Sequence, residues 1–276
     1  MKIFPKDKFF VIAGPCVIEE GNLLETVAAT LKNIATTHDI PIIFKASFDK
    51  ANRSALKNYR GPGLTKGLAM LKTIKDTFKL PILSDIHTPE MIPEAGEVLD
   101  VLQIPAFLAR QSDLYIAAAK TPCALNIKKG QFMAAREMQN AIDKFRLSGG
   151  STPVSVCERG TFFGYGDLVV DFRTIDIIKQ MNVTYIYDAS HSMQKPAGKG
   201  THSGGDKTSL RTLARAQIAA GANGIFIETH PNPPEALSDS ATQYPLHELA
   251  ELLLDLKAFY TFRSKRPQTI PHTRIS

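Results

Sequence analysis

Eight short runs rich in Val, Ile, Leu and Phe punctuate the chain, at 9–15, 41–47, 81–86, 101–107, 123–128, 153–158, 183–189 and 224–229. Each is almost continuously apolar rather than alternating, the pattern of strands covered on both faces in a parallel sheet. The segments between them carry helical period. Leu23, Leu24, Val27, Ala28, Leu31, Ile34 and Ala35 recur at three-to-four spacing, and Leu210, Leu213, Ala214 and Ile218 do the same ahead of Gly221, which reads as a C-cap. Thr88-Pro89-Glu90 reads as a helix start, with a hydroxyl cap, Pro in first position and an early acid. Leu246, Leu249, Ala250, Leu253, Leu256 and Ala258 mark a final amphipathic helix. Strand then helix, repeated around the chain, predicts an α/β fold: one closed (β/α)8 TIM barrel over residues 1–276, with 264–276 as a loosely held tail. The competing open, doubly wound sheet lacks its G-x-G-x-x-G after the first run.

Composition narrows the classes of function. The 276 residues carry 33 Lys and Arg against 27 Asp and Glu, a net charge of +6. No arginine-rich helix, aromatic-interleaved basic patch or zinc-finger spacing accompanies that excess, so a nucleic-acid partner is not expected. Cys16, Cys123 and Cys157 form no C-x-x-C pair and no disulfide framework, which fits a reducing cytoplasm. Lys2, Lys6 and Lys8 ahead of Phe9-Phe10-Val11-Ile12-Ala13 imitate an export signal, but Gly14-Pro15 and Glu19-Glu20 interrupt it. No run reaches the ~18 uncharged apolar residues of a membrane helix, so no membrane association is expected.

Barrel chemistry sits at the C-terminal ends of the strands. There the chain places Cys16, Lys45, Asp85 with His87, Gln103, Lys128 with Lys129, Glu158 with Arg159, Asp188 with His191, and Glu228 with His230. Lys45, Lys50, Arg53, Arg110, Lys128 and Arg159 form a cationic subset. Gathered in one mouth they call for anionic ligands, and phosphorylated substrates are expected; the alternative is solvated side chains paired with nearby acids. A second subset, Cys16, His191, Glu228 and Asp239, is scattered in sequence, but closure makes strands seven, eight and one neighbours. Thiolate, imidazole and carboxylates together suit one divalent ion, Zn, Fe, Mn or Co. Residues 192–209, with Gly198, Gly200, Gly204 and Gly205, form either a candidate lid or flexible surface, and lack the spacing of a phosphate-binding loop.

Several segments resemble one family. Gly14-Pro15-Cys16, Lys45-Ala46-Ser47-Phe48-Asp49-Lys50-Ala51-Asn52-Arg53-Ser54, Gln103-Ile104-Pro105-Ala106-Phe107, Arg110-Gln111, Lys128-Lys129-Gly130-Gln131-Phe132, Glu158-Arg159-Gly160, Asp188-Ala189-Ser190-His191-Ser192, Glu228-Thr229-His230-Pro231 and Ala236-Leu237-Ser238-Asp239 are similar, in order, to the 3-deoxy-manno-octulosonate-8-phosphate synthases. These are also called 2-dehydro-3-deoxyphosphooctonate aldolases. The resemblance implies a cytoplasmic transferase, homotetrameric, that condenses phosphoenolpyruvate with arabinose 5-phosphate for lipopolysaccharide synthesis. It implies that Lys128, Arg159, Arg110 and Gln131 hold phosphoenolpyruvate, with Lys50 near its carboxylate. Asn52, Arg53 and Ser54 would grip the sugar phosphate, Lys45 would join the substrate-binding set, and Gln103 and Asp85 would line the space between. Lys50, Asp85 and His191 are the catalytic candidates. Cys at the first strand implies the metal-requiring class, with Cys16, His191, Glu228 and Asp239 as ligands. The Gly-rich loop departs from the family's pattern. Three other readings stay open: a Schiff-base aldolase using Lys45 or Lys128, the related seven-carbon synthase using erythrose 4-phosphate, and a noncatalytic sugar-phosphate-binding barrel.

Overall fold

The computed structural model describes residues 3–53, 55–164, 166–195 and 204–266. Its strands are β1 (Phe10–Gly14), β2 (Ile42–Lys45), β3 (Ile82–Asp85), β4 (Val101–Ile104), β5 (Ala124–Lys128), β6 (Val154–Glu158), β7 (Thr184–Asp188) and β8 (Gly224–His230). They pair in parallel in chain order, and β8 returns to β1 through the register Phe10↔Gly224 to Gly14↔Glu228. The ring is therefore closed, a (β/α)8 barrel. The helices α1 (Leu23–His38), α2 (Leu64–Phe78), α3 (Ile92–Val98), α4 (Ser112–Ala118), α5 (Met138–Leu147), α6 (Arg173–Gln180), α7 (Leu210–Ala220) and α8 (Leu249–Ser264) follow their strands in turn.

Strand side chains alternate between two cores. Val11, Ile42, Ile82, Leu102, Leu125, Val156, Tyr185 and Ile225 face outward and pack with the helices in one large cluster. Phe10, Ile12, Ile43, Leu83, Val101, Ala124, Cys157, Ile186 and Phe226 face inward, with Phe4 from the N-terminal arm packed against them. Both strand faces are thus buried, which is why the runs read as continuously apolar. Phe4 lies 6.0 Å from the Phe10 ring and closes the floor of the barrel.

Above the apolar layer runs a polar one. Asp85, Gln103, Asn126 and Ser155 are register neighbours on β3 to β6. Their side chains are bonded in series: Ser155 Oγ donates to Asn126 Oδ1 (2.8 Å), Asn126 Nδ2 to Gln103 Oε1 (2.6 Å), and Gln103 Nε2 to Asp85 Oδ1 (2.6 Å). Buried polar atoms need such partners, and the series satisfies them without water.

The boundaries differ from the sequence reading in instructive ways. Residues 105–107 are not strand, because after Ile104 the chain passes Pro105 into a 3-10 turn, Ala106–Leu108. Thr88 is extended and precedes Pro89, but its hydroxyl caps no backbone N–H, and the first turn is 3-10 before α3 begins. Gly221 ends α7 with φ 141°, as expected of a C-cap glycine. In α8 the buried face is Leu249, Leu252, Leu253, Leu256 and Tyr260, while Ala258 is exposed. The tail expected beyond 264 lies outside the described residues from 267 onward, as do residues 196–203 of the Gly-rich loop. No described helix is long and apolar enough to cross a membrane.

Candidate active site

At the C-terminal mouth of the barrel lies a cavity of about 700 Å³. Lys50, Asn52, Arg53, Asp85, Gln103, Lys128, Gln131, Arg159, His191, Glu228 and Asp239 all line it. The predicted residues therefore converge, with four exceptions, of which Cys16 is buried beside Glu228 and Asp239 rather than on the cavity wall. Lys45 is buried and does not line the cavity; its Nζ donates to the Cys16 carbonyl (2.7 Å) and to Glu228 Oε1. Arg110 is exposed and does not line the cavity of its own chain, because the turn at 106–108 carries the backbone outward. Ser54 lies outside the described residues.

The loop after β2 carries Lys50, Asn52 and Arg53. It is clamped at its base by a bidentate pair, Arg60 Nε to Asp49 Oδ1 (2.8 Å) and Nη2 to Oδ2 (2.5 Å). Gly61 makes the return possible: its φ is 115°, and a Cβ there would lie 2.5 Å from the Phe48 carbonyl oxygen. Arg53 is held by the Tyr59 carbonyl (2.8 Å) and Ser238 Oγ (2.7 Å), leaving Nη2 buried with no partner. Arg159, on the far side, donates to Gln194 Oε1 and the His191 carbonyl, and its Nε is also buried without a partner. Gln131 Oε1 and His87 Nδ1 are likewise buried and unpartnered beside the cavity.

Lys50 Nζ lies 3.2 Å from Asp85 Oδ2, which also accepts from Ser47 Oγ (2.5 Å). Burial opposes charge on Asp85, but Lys50, Lys45 and the Gln103 amide outweigh it and hold the carboxyl well below the usual carboxylate range. Behind the wall, Lys129 and Glu158 form a second buried pair, 3.5 Å apart. Lys129 Nζ also donates to the Gly130 and Met133 carbonyls and Thr161 Oγ1, while Glu158 Oε1 accepts the Gly160 N–H. This pair ties the segment bearing Gln131 to the one bearing Arg159.

Closure of the ring brings the four sulfur, nitrogen and oxygen ligand candidates together. One donor atom each from Cys16, Glu228 and Asp239 lies within 4.8 Å of the others. His191 Nε2 is 3.5 Å from both Glu228 Oε2 and Asp239 Oδ2. Gly14, just before Cys16, lets the chain pass close to β2: its φ is 154°, and a Cβ would lie 2.0 Å from the Lys45 carbonyl oxygen. The second Glu228 oxygen, Oε2, is buried without a hydrogen-bond partner, a costly arrangement unless something cationic takes it. The donor set, a thiol, an imidazole and two carboxylates, fits a divalent ion of borderline softness.

Asp188 was singled out in the sequence only as a strand ending, and Ser238 only within a longer resemblance. Ser238 Oγ also accepts from Cys16 Sγ (2.8 Å), so one hydroxyl links Cys16 with Arg53. Lys57 and Tyr59 line the mouth too, and no spacing in the sequence marks them.

A closed barrel whose mouth presents buried, unsatisfied guanidinium donors beside a ligand cluster of sulfur, nitrogen and oxygen defines a class of enzyme acting on anionic substrates. The profile of the DAHP synthetase I family matches residues 3–261. The 2-dehydro-3-deoxyphosphooctonate aldolase of Protochlamydia amoebophila (strain UWE25) is 46% identical over 264 residues, 96% of each chain. Its counterpart from Pisum sativum is 45% identical over 273 residues, 97% of this chain and 94% of its own. That of Fusobacterium nucleatum subsp. nucleatum is 48% identical over 248 residues, 90% of this chain and 89% of its own. The chain belongs to the DAHP synthetase I family and, within it, to the 2-dehydro-3-deoxyphosphooctonate aldolases.

Proposed function

We propose that the chain condenses phosphoenolpyruvate with arabinose 5-phosphate and water, giving 3-deoxy-manno-octulosonate 8-phosphate and inorganic phosphate for lipopolysaccharide synthesis. One observation carries the reading: Arg53 and Arg159, on loops after β2 and β6 at opposite sides of the ring, each present a buried, unpartnered N–H donor at one cavity. Two such donors call for two anionic groups held apart. Arg159, Lys128 and Gln131 receive the phosphate of phosphoenolpyruvate, with Lys50 at its carboxylate. Asn52, Arg53 and Ser54 receive the sugar phosphate, and Gln103 and Asp85 face the reacting carbons between.

Carbon 3 of the enol phosphate attacks the aldehyde, water adds at carbon 2, and the bond from that carbon to the phosphate oxygen breaks. Fixed cations around the cavity stabilise the negative charge that develops on the aldehyde oxygen, while carbon 2, left electron-poor by the attack, is the carbon to which water adds. Lys50, held against Asp85, stays protonated and supplies one of them. No covalent enzyme intermediate is needed in this sequence of steps; Lys45 and Lys128, the two lysines a Schiff base would use, are held in buried ion pairs with Glu228 and Asp188.

Cys16, His191, Glu228 and Asp239 hold a divalent ion, Zn, Fe, Mn or Co. When bound, it supplies a Lewis acid at the mouth of the barrel. The His191 proton on Nδ1 rests against Asp188 Oδ2, 2.8 Å away, which turns Nε2 toward the two carboxylates. The protein works in the cytoplasm, a reading supported by three free, buried thiols. It assembles as a homo-oligomer, a tetramer by resemblance, and the exposed Phe107, Phe162 and Phe163 offer apolar surface for that.

Phosphate release from phosphoenolpyruvate tests the reading, run with arabinose 5-phosphate and with erythrose 4-phosphate, before and after chelation, on the wild type and Cys16→Ala. Release with the five-carbon sugar, lost on chelation and restored by a divalent ion, is expected. Preference for erythrose 4-phosphate identifies the seven-carbon reaction instead, and no release with either sugar points to a binding protein. Full activity of chelated Cys16→Ala removes the metal role.

A further inference from the structure

A single carboxylate oxygen links the two halves of the site. Asp188 Oδ2 lies 2.8 Å from His191 Nδ1 and 2.5 Å from Lys128 Nζ. The other oxygen, Oδ1, accepts the backbone N–H groups of Ser190 (3.1 Å) and His191 (2.8 Å), which fixes the orientation of the carboxylate. Asp188 is fully buried, and Lys128 Nζ sits 3.0 Å from the centre of the Phe226 ring. We propose that Asp188 is a positioning residue that sets His191 Nε2 toward Glu228 and Asp239 and, through the same oxygen, tethers Lys128 at the cavity wall. The metal half of this inference rests on the ion proposed above.

The two interactions compete for one acceptor. A cation on Nε2 makes the Nδ1–H a stronger donor, which draws the oxygen toward His191 and loosens its hold on Lys128. Lys128 is then freer to meet a phosphate. Partners behind ligating histidines commonly fix the tautomer and tune affinity in this way. Because such coupling is a free energy between sites, it acts in both directions.

Asp188→Asn separates the contributions. If the amide oxygen stays on the Ser190 and His191 N–H groups, its NH2 faces His191 Nδ1 and the Lys128 ammonium. The imidazole proton is then forced onto Nε2, where it blocks a ligand. If the amide turns over, its NH2 opposes two backbone donors. Either way the metal half weakens, while Lys128 loses the charge that restrained it.

The test uses metal-free full-length protein, wild type and Asp188→Asn, titrated separately with Co2+ by visible and near-ultraviolet absorption and with inorganic phosphate by calorimetry. The expected result is opposite in sign on the two sides. The Co2+ dissociation constant rises about tenfold to a hundredfold, and phosphate binds about two- to tenfold more tightly. Damage to the fold would weaken both, and parallel loss, or no change in either, overturns the proposal. Should the variant not fold, the wild type decides: in the Zn2+-loaded protein, side-chain 15N–1H correlation of His191 must place the proton on Nδ1, and a proton on Nε2 refutes the inference. A wild type that gives no thiolate-to-cobalt band refutes the metal reading itself, and the phosphate arm alone then judges the restraint of Lys128.

Discussion

Cys16 Sγ and Asp239 Oδ2 stand 3.5 Å apart across 223 positions of sequence. The distance is a product of ring closure, since β1 and β8 pair from Phe10↔Gly224 to Gly14↔Glu228 and the loop after β8 folds back over that seam. Any change that opens the seam separates these donors, and with them the Ser238 hydroxyl that joins Cys16 to Arg53.

Arg53→Ala should raise KM for arabinose 5-phosphate by about tenfold or more, since a charged, forked donor to a phosphate is lost. KM for phosphoenolpyruvate should move little. Arg53→Lys, which keeps the charge but not the fork, should fall between. Steady-state kinetics with each substrate varied in turn decides this, and equal effects on both substrates would reject the division of the cavity.

Asp85 gives a pH dependence with a definite sign. Its folded pKa is depressed below the unfolded value of about 3.9. The stability it contributes is therefore complete above that unfolded value and is lost as pH falls through the window beneath it. Wild-type protein should lose unfolding free energy more steeply below about pH 4 than Asp85→Asn does, measured by urea unfolding at a series of pH values. Parallel curves would show that Asp85 makes no such contribution.

Lys129→Met should destabilise the barrel by about 3 to 5 kcal/mol, because it leaves Glu158 buried without a counter-charge. Burial already pushes the Glu158 carboxyl upward. The double variant Lys129→Met/Glu158→Gln should recover part of the loss, since Gln still accepts the Gly160 N–H. Chemical unfolding of the four proteins of the cycle checks this; no recovery would mean that packing, not charge, is at stake.

Burial pushes the Cys157 thiol up to about 12, and Cys123 is raised by burial as well. Alkylation of these two thiols in the native protein at pH 8 should be negligible and should begin only with unfolding. Mass spectrometry of iodoacetamide-treated protein, with and without denaturant, measures it.

The eight strands were legible because burial on both faces writes itself as continuous apolar sequence. Where they stop was less so: Phe107 belongs to a half-exposed turn although it continues an apolar run. The cluster of Cys16, His191, Glu228 and Asp239 could be assembled only after closure was inferred. Lys45 was legible as a strand-end lysine but not as a partner of Glu228, because that carboxylate stands on a strand two places around the ring. That Arg110 is exposed and does not line the cavity of its own chain was not legible, because the direction of a turn has no spacing of its own. Ser238 and Asp188 act by bridging residues that sequence alone does not bring together.

The row of side chains from Ser155 to Asp85 has a further meaning. An ionised Asp85 can only accept, so Gln103 must point its nitrogen there, Asn126 must then offer its nitrogen to Gln103, and Ser155 must turn its hydroxyl hydrogen toward Asn126. The row has a polarity, like arrows laid head to tail. Flipping Gln103 would set like against like at both of its ends, and flipping Asn126 would set its oxygen against that of Gln103, so the heading of Asn126, two strands away, is dictated by a charge it never touches.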